Sequence, residues 1–269
     1  MKTRLLITVK TYPVLSKQYN ELVCTAGFRE DGAFVRLYPV PFRKLDYDKR
    51  YKKYQWIELD IVRNDTDFRP ESYRPVDADN IKVVGEIGAD GGSWSARREI
   101  VLRKVYRNLE QLIDEAKNRE IGTSLAVFKP SKIIGFSYKE TEREWDMAKL
   151  ESFDQLEFFF NKKNRFKVVQ KIPYAFSYTF LDDAGKESTM MVSDWEAGKL
   201  YLNCLARHRG DEERACADVC KKYYSDFALT KDLFFFLGTA KSRHFQAKNP
   251  FSIIGTFHPG FEQNLLFRP

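Results

Sequence analysis

Glu21-Leu-Val-Cys-Thr-Ala-Gly-Phe-Arg-Glu-Asp-Gly-Ala-Phe-Val-Arg-Leu-Tyr-Pro-Val40 is the stretch from which the fold can be read. Two runs of β-forming residues, Glu21–Phe28 and Ala33–Val40, flank Glu30-Asp-Gly32. An Asp-Gly step between apolar runs closes a hairpin, because glycine accepts the positive φ that such turns need. Working outward, Arg4–Tyr12 reads as a preceding strand. Tyr54–Arg63 continues the pattern, with Ile57, Leu59 and Ile61 alternating against Trp56, Glu58, Asp60 and Val62. Ile81–Val84 is a further short strand. Pro13, Pro39 and Pro41 fall at strand ends, where a missing N–H is tolerated.

Helical spacing follows over Trp94–Tyr106 and Leu109–Arg119, then strands over Leu125–Phe128 and Lys132–Tyr138. Met147, Leu150, Phe153, Leu156 and Phe160 recur at helical intervals and predict a connecting helix over 141–161. Beyond it, Tyr174–Leu181 and Ser188–Val192 form a hairpin over Asp182-Asp-Ala-Gly185. Helices run from Asp194 to Arg207 and from Glu212 to Tyr224, and Leu233–Gly238 and Phe251–Phe257 are strands. Strands and helices mix without strict alternation, which predicts an α+β fold. Its N-terminal section, 1–140, is largely antiparallel and barrel-like. A smaller α+β section spans 162–262, and 263–269 is a C-terminal peptide.

The chain has 269 residues, 43% apolar, 31% charged and 15% aromatic, which excludes a disordered chain. No apolar run approaches the ~20 residues of a membrane span. The apolar part of Met1–Lys10 is too short for a signal peptide. Four cysteines in a chain of this length are not a disulfide framework, so a reducing cytoplasm is expected.

Forty-five Lys and Arg against 38 Asp and Glu give a net charge of +7, which permits nucleic-acid binding. The cations cluster among aromatics in three stretches, as a surface that tracks phosphates and stacks bases requires. The candidate contacts are Arg97, Arg98 and Arg103, then Lys162, Lys163, Arg165 and Lys167, then Lys241, Arg243 and His244. The plainer reading is solvated faces around ordinary core aromatics.

Three other constellations bear on chemistry. Asp60, Asp67 and Glu71 are acids that could hold Mg²⁺ for phosphodiester hydrolysis, although Arg63, Arg69 and Arg74 interleave as in a surface ion-pair network. Cys204-x3-His208-x7-Cys216-x3-Cys220 places two i,i+4 pairs on successive helices, a candidate zinc site that lacks a tight C-x2-C knuckle. Ser193-Asp-Trp-Glu196 opens a helix and reads as a capping box rather than a metal-binding carboxylate pair.

Lys10-Thr-Tyr-Pro13, Val23–Gly27, Val35–Arg43, Asp67-Phe-Arg-Pro-Glu-Ser72 and Ser193–Glu196 together resemble an uncharacterised bacterial family, a resemblance that carries no activity. The tail Gln263-Asn-Leu-Leu-Phe267 resembles the peptide by which bacterial replication and repair proteins grip the DNA sliding clamp. The resemblance implies that Gln263 bonds at a pocket rim while Leu266 and Phe267 fill an apolar cleft. Leu265 stands where the commoner form has a small polar or acidic residue. The docked alternative packs the same residues against the parent domain.

The expectation is a cytoplasmic bacterial DNA-associated binding protein, tethered to the sliding clamp, with a sensing, repair or defence role and no membrane partner. Two alternatives stand beside it: a nuclease or base-excising hydrolase using Asp60, Asp67 and Glu71, and a protein-interaction module that meets no nucleic acid.

Overall fold

The computed structural model describes residues 1–16, 20–147 and 169–262. Strands β1 (Lys2–Lys10), β2 (Val14–Ser16), β3 (Asn20–Phe28), β4 (Phe34–Val40), β5 (Gln55–Arg63), β6 (Ser72–Pro75) and β7 (Lys82–Glu86) form the first sheet. Its order β1-β3-β4-β6-β5 closes on itself, because β1 pairs with β5 along Lys2–Leu6. The result is a five-stranded barrel, antiparallel except where β4 runs parallel to β6. The Glu30–Gly32 turn joins β3 to β4 as its sequence predicts, with Gly32 at φ +85°.

The barrel interior holds Leu5, Ile7, Val23, Val35, Leu37, Ile57, Leu59 and Ile61. Leu6 and Val9 point the other way and are equally buried. That explains why Leu5–Val9 is apolar at every position but Thr8: a strand covered on both faces gains nothing from polar alternation. What covers its outer face is a sheet of four strands in the order β14-β13-β9-β8, made of β8 (Val105–Tyr106), β9 (Leu125–Phe128), β13 (Phe234–Thr239) and β14 (Phe251–Phe257). Phe234 and Phe236 face the barrel, while Phe235 and Leu237 face away.

A third layer lies on that far side. It comprises a three-stranded sheet, β10 (Lys132–Glu140), β11 (Tyr174–Leu181) and β12 (Glu187–Met191), with helices α2 (Leu109–Lys117), α3 (Trp195–Arg207) and α4 (Glu212–Cys220). Its largest core cluster gathers Phe128, Phe176, Tyr178, Phe180, Tyr201 and Phe235. The short helix α1 (Ser95–Val101) leads from the barrel toward β8. The fold is α+β with a barrel-like N-terminal part. Sheet pairing crosses residue 140, since β9 pairs with β13.

Local differences from the sequence reading have simple causes. The helix expected through Tyr106 stops at Val101, and Val105–Tyr106 pairs with β9, as a β-branched and an aromatic residue favour. Beyond Cys220 the helix continues as a π-helical segment over Lys221–Ala228. Most of the connecting helix expected over 141–161 lies outside the described residues.

Gly198 lies inside α3, where a Cβ would sit 2.2 Å from the Tyr12 ring and 2.7 Å from Ile172. In an ordinary helix, alanine would stabilise by about 1 kcal/mol. Here the overpacking outweighs that gain, and Gly198→Ala is expected to lower stability by about 1–2 kcal/mol, read as an earlier urea midpoint.

Candidate nucleic-acid interface

The loop after β5, Asn64-Asp-Thr-Asp-Phe-Arg-Pro-Glu71, and the loop between β13 and β14 meet at one end of the molecule. Short polar side chains shape the first loop. Asn64 Oδ1 accepts from the Thr66 hydroxyl at 2.8 Å, and Asp67 Oδ1 accepts from the Arg69 N–H at 3.1 Å. Both are Asx-type contacts that fold the backbone over itself. Asp67 and Arg69 are 4% and 5% exposed and form a bidentate pair, Nε to Oδ1 at 2.9 Å and Nη2 to Oδ2 at 2.5 Å. Arg69 Nη1 also donates to the Thr239 carbonyl, and Lys241 Nζ donates to the Thr66 carbonyl. Burial alone would raise the Asp67 carboxyl, but the Arg69 guanidinium and N–H hold it down at about 2.

With Asp67 and Arg69 turned inward, Phe68 between them is 48% exposed. It stacks on Phe245, 38% exposed, with centroids 4.9 Å apart and planes at 24°. The Arg119 guanidinium lies 5.4 Å from the Phe245 ring centre. Lys241, Arg243 and Lys248 are exposed in the same loop as Phe245. Two rigid exposed rings among cations form a shelf on which bases can stack while phosphates meet Lys and Arg.

The layer below the shelf is polar and hydrogen-bonded. Arg36, 2% exposed, donates to Ser72 Oγ at 3.1 Å, Ser124 Oγ at 2.8 Å and the Ser124 carbonyl at 3.1 Å. The Glu71 carboxylate accepts from Ser124 N at 3.0 Å and Ser124 Oγ at 2.7 Å. These contacts tie β4, β6 and the loop before β9 into one support.

The sequence candidates distribute unevenly over this geometry. Lys241 and Arg243 sit beside the shelf. His244 is fully buried, with Nδ1 2.8 Å from Thr239 Oγ1, and its ring meets Phe68 and Phe245 edge-on. Burial lowers its pKa, so His244 is a neutral prop and not a phosphate contact. Arg97 is also buried: it donates twice to the Ile87 carbonyl and lies 3.7 Å over the Tyr54 ring. Arg98 pairs with Asp232 at 3.0 Å and Glu262 at 3.4 Å. Arg103 donates to the carbonyls of Glu99 and Glu30. These three cations are engaged in building the fold. Lys162, Lys163, Arg165, Lys167 and the tail residues Gln263, Leu266 and Phe267 lie outside the described residues.

The acidic set does not come together. Asp60 is exposed on β5 near the N-terminal amine, Asp67 is held by Arg69, and Glu71 is bonded to Ser124. Nor do the four soft ligands. Cys204 and Cys216 are core residues whose thiols burial pushes up, Cys216 to about 12. His208 Nε2 faces Asp218 at 2.8 Å instead of a thiol. Among the described residues no three His, Cys, Asp or Glu side chains are gathered as a metal site. The capping box is shifted too. Asp194, not Ser193, caps α3, accepting from the Glu196 N–H at 3.2 Å, and both acids meet Lys53.

Sequence reasoning missed Phe68, Phe245 and Arg119. A signal existed for the first: a phenylalanine flanked by Asp, Arg and Pro in a loop has no core face to occupy.

The chain belongs to the family described as "Domain of unknown function (DUF8757)", whose profile matches residues 106–269. Residues 1–103 match a second, "Domain of unknown function (DUF8758)", so the two matches meet at β8. No curated protein matches the chain. Among solved structures, the one titled "Structure of murine DNA binding protein bound with ds DNA" is similar, with 11% identity over 97% of each chain and a TM-score of 0.33. No helix among the described residues is long and apolar enough to cross a membrane.

Proposed function

We propose that this protein binds nucleic acid, DNA foremost, by stacking unpaired bases on the Phe68–Phe245 shelf while Arg119, Lys241, Arg243 and Lys248 meet the phosphates. The observation that carries the reading is the exposed ring pair itself, held from below by buried Asp67, Arg69 and His244. Large apolar side chains kept outside by a bonded polar support are a binding feature and a poor use of stability otherwise. Stacking on rings tolerates any base and needs unpaired ones, so single strands are the preferred form.

The test is fluorescence anisotropy with labelled single- and double-stranded oligonucleotides at two salt concentrations. Phe245→Ala is expected to weaken single-strand binding by about 1–3 kcal/mol. Arg243→Ala and Lys248→Ala should each reduce the salt slope by somewhat under one, near 0.7 for a single-strand phosphate contact. Single-strand affinity that is unmoved by Phe245→Ala overturns the shelf.

The C-terminal peptide completes the proposal. Gln263, Leu266 and Phe267 would tether the protein to a sliding clamp and raise its concentration at replicating DNA without a tight DNA site. Support for this comes from the sequence resemblance. Phe267→Ala should abolish capture by immobilised clamp, and capture equal to the unmodified protein rejects the tether.

A further inference from the structure

A cleft of ≈ 220 Å³ opens between the β3–β4 turn and β9, three residues along the chain from Phe68. Its walls include Phe28, Phe34 and Tyr106, and its polar lining is Glu71, Lys104 and Thr123. It is smaller than the 300 Å³ or more of a drug-sized site, yet holds several waters at about 30 Å³ each, the room one planar ring system needs. Phe28 and Phe34 stack at 4.2 Å with planes at 13°, which gives the cleft a flat, rigid aromatic wall. Glu71 accepts two hydrogen bonds from Ser124, and a carboxylate has about four acceptor positions, so two remain for a ligand. Lys104 is a largely exposed cation, its ammonium 3.9 Å from the Glu115 carboxylate and 4.7 Å from the Tyr106 ring centre.

We infer that this cleft takes a single nucleobase swung out of a strand, with Phe34 and Tyr106 against its faces, Glu71 accepting from an exocyclic amino group and Lys104 meeting the adjoining phosphate. The inference deepens the nucleic-acid reading and rests on it. The same loop carries Phe68 on the shelf and Glu71 in the cleft, so one short segment contributes to both features. A carboxylate acceptor favours bases that carry an amino group, adenine, cytosine or guanine, over thymine. Extrusion is least costly where the base is mismatched.

The experiment uses short duplexes that are fully paired or carry one central mismatch, presenting either cytosine or thymine, with free CMP and TMP as separate probes. The mismatched cytosine duplex should bind roughly tenfold tighter than the paired one, and more tightly than the thymine mismatch. Glu71→Gln preserves the shape and should remove the cytosine preference. Ala33→Leu, at the exposed rim of the cleft and away from the Ser124 contacts, should remove the mismatch preference itself. Phe245→Ala should weaken single-strand binding and leave the ratio of mismatched to paired duplex binding unchanged. Equal binding of paired and mismatched duplexes by the unmodified protein overturns the cleft proposal and leaves the shelf reading standing. If neither these duplexes nor single-stranded DNA bind, the shelf reading fails. Ligand-observed NMR then decides the cleft alone: CMP contact that Ala33→Leu removes upholds a nucleobase site for free nucleotides, and its absence overturns it.

Discussion

Lys53→Met is expected to destabilise the protein by about 3–5 kcal/mol, seen as a large fall in the urea midpoint and in Tm. The Lys53 ammonium is 6% exposed and lies 2.9 Å from both Asp194 and Glu196. Burial works to lower its pKa, but the two carboxylates outweigh it and keep Lys53 charged. Asp194 has no exposed side-chain surface, so removing the ammonium leaves a buried anion with no cation against it. His258 is neutral beside Lys53, since burial first and then the Lys53 charge hold its pKa at about 4. Lys10 is within electrostatic reach of both carboxylates but is committed elsewhere: its ammonium lies 4.7 Å over the Phe42 ring and donates to the Tyr51 carbonyl. Lys53→Met with Asp194→Asn should recover much of the loss, since asparagine keeps the N-cap acceptor of α3. A coupling energy of about 2–3 kcal/mol in that double-mutant cycle would confirm the pairing, and a single-mutant loss below about 1 kcal/mol would refute it. Two stretches distant in sequence meet beside the pair. Thr11 bridges to Asp194 and the Tyr12 N–H donates to the Ser193 carbonyl, so Lys10–Pro13 and Ser193–Glu196 form one joint between barrel and helix.

Strands were legible wherever burial alone decides them. Leu125–Phe128, Tyr174–Leu181 and Phe251–Phe257 have the bounds their apolar runs predict. The barrel-like character of the N-terminal section was legible, but the pairing of β4 with β6 was not, because that parallel contact joins residues some 36 apart and β6 itself is four residues between loops. Cations misled for a related reason. Arg97 and Arg98 look like a phosphate-facing pair on a helix, yet one caps the Ile87 carbonyl and the other neutralises Asp232 across the molecule. The sequence shows that these residues carry charge. Which of them water reaches depends on long-range packing, and a basic cluster reads the same in both cases. Asp67 illustrates the converse. Surrounded by arginines in sequence, it reads as a surface ion pair, and only its burial shows that Arg69 and Phe68 are divided between inside and outside.

Asp67→Asn is expected to lower stability at pH 7 by about 3 kcal/mol, because Arg69 loses its only carboxylate partner among the described residues while staying buried. The pH dependence identifies the cause. The Asp67 carboxyl titrates at about 2 in the folded chain and near 3.9 when unfolded, so its contribution is complete above about pH 4. It fades as pH falls from about 4 toward 2, by about 1–2 kcal/mol for a group in contact with some solvent. Urea titrations at pH 5, 4, 3 and 2 should therefore show the gap between the unmodified protein and Asp67→Asn shrinking with acid. A gap that stays constant would mean that the loss at pH 7 has nothing to do with ionisation. The same variant links support to function. Freed from the Asp67–Arg69 clamp, the 64–71 loop no longer fixes Phe68 against Phe245, and single-strand affinity should fall several-fold. In a Phe245→Ala background, where the shelf is already gone, Asp67→Asn should add little. Full additivity would show that Asp67 acts on binding by some route other than the rings it holds in place.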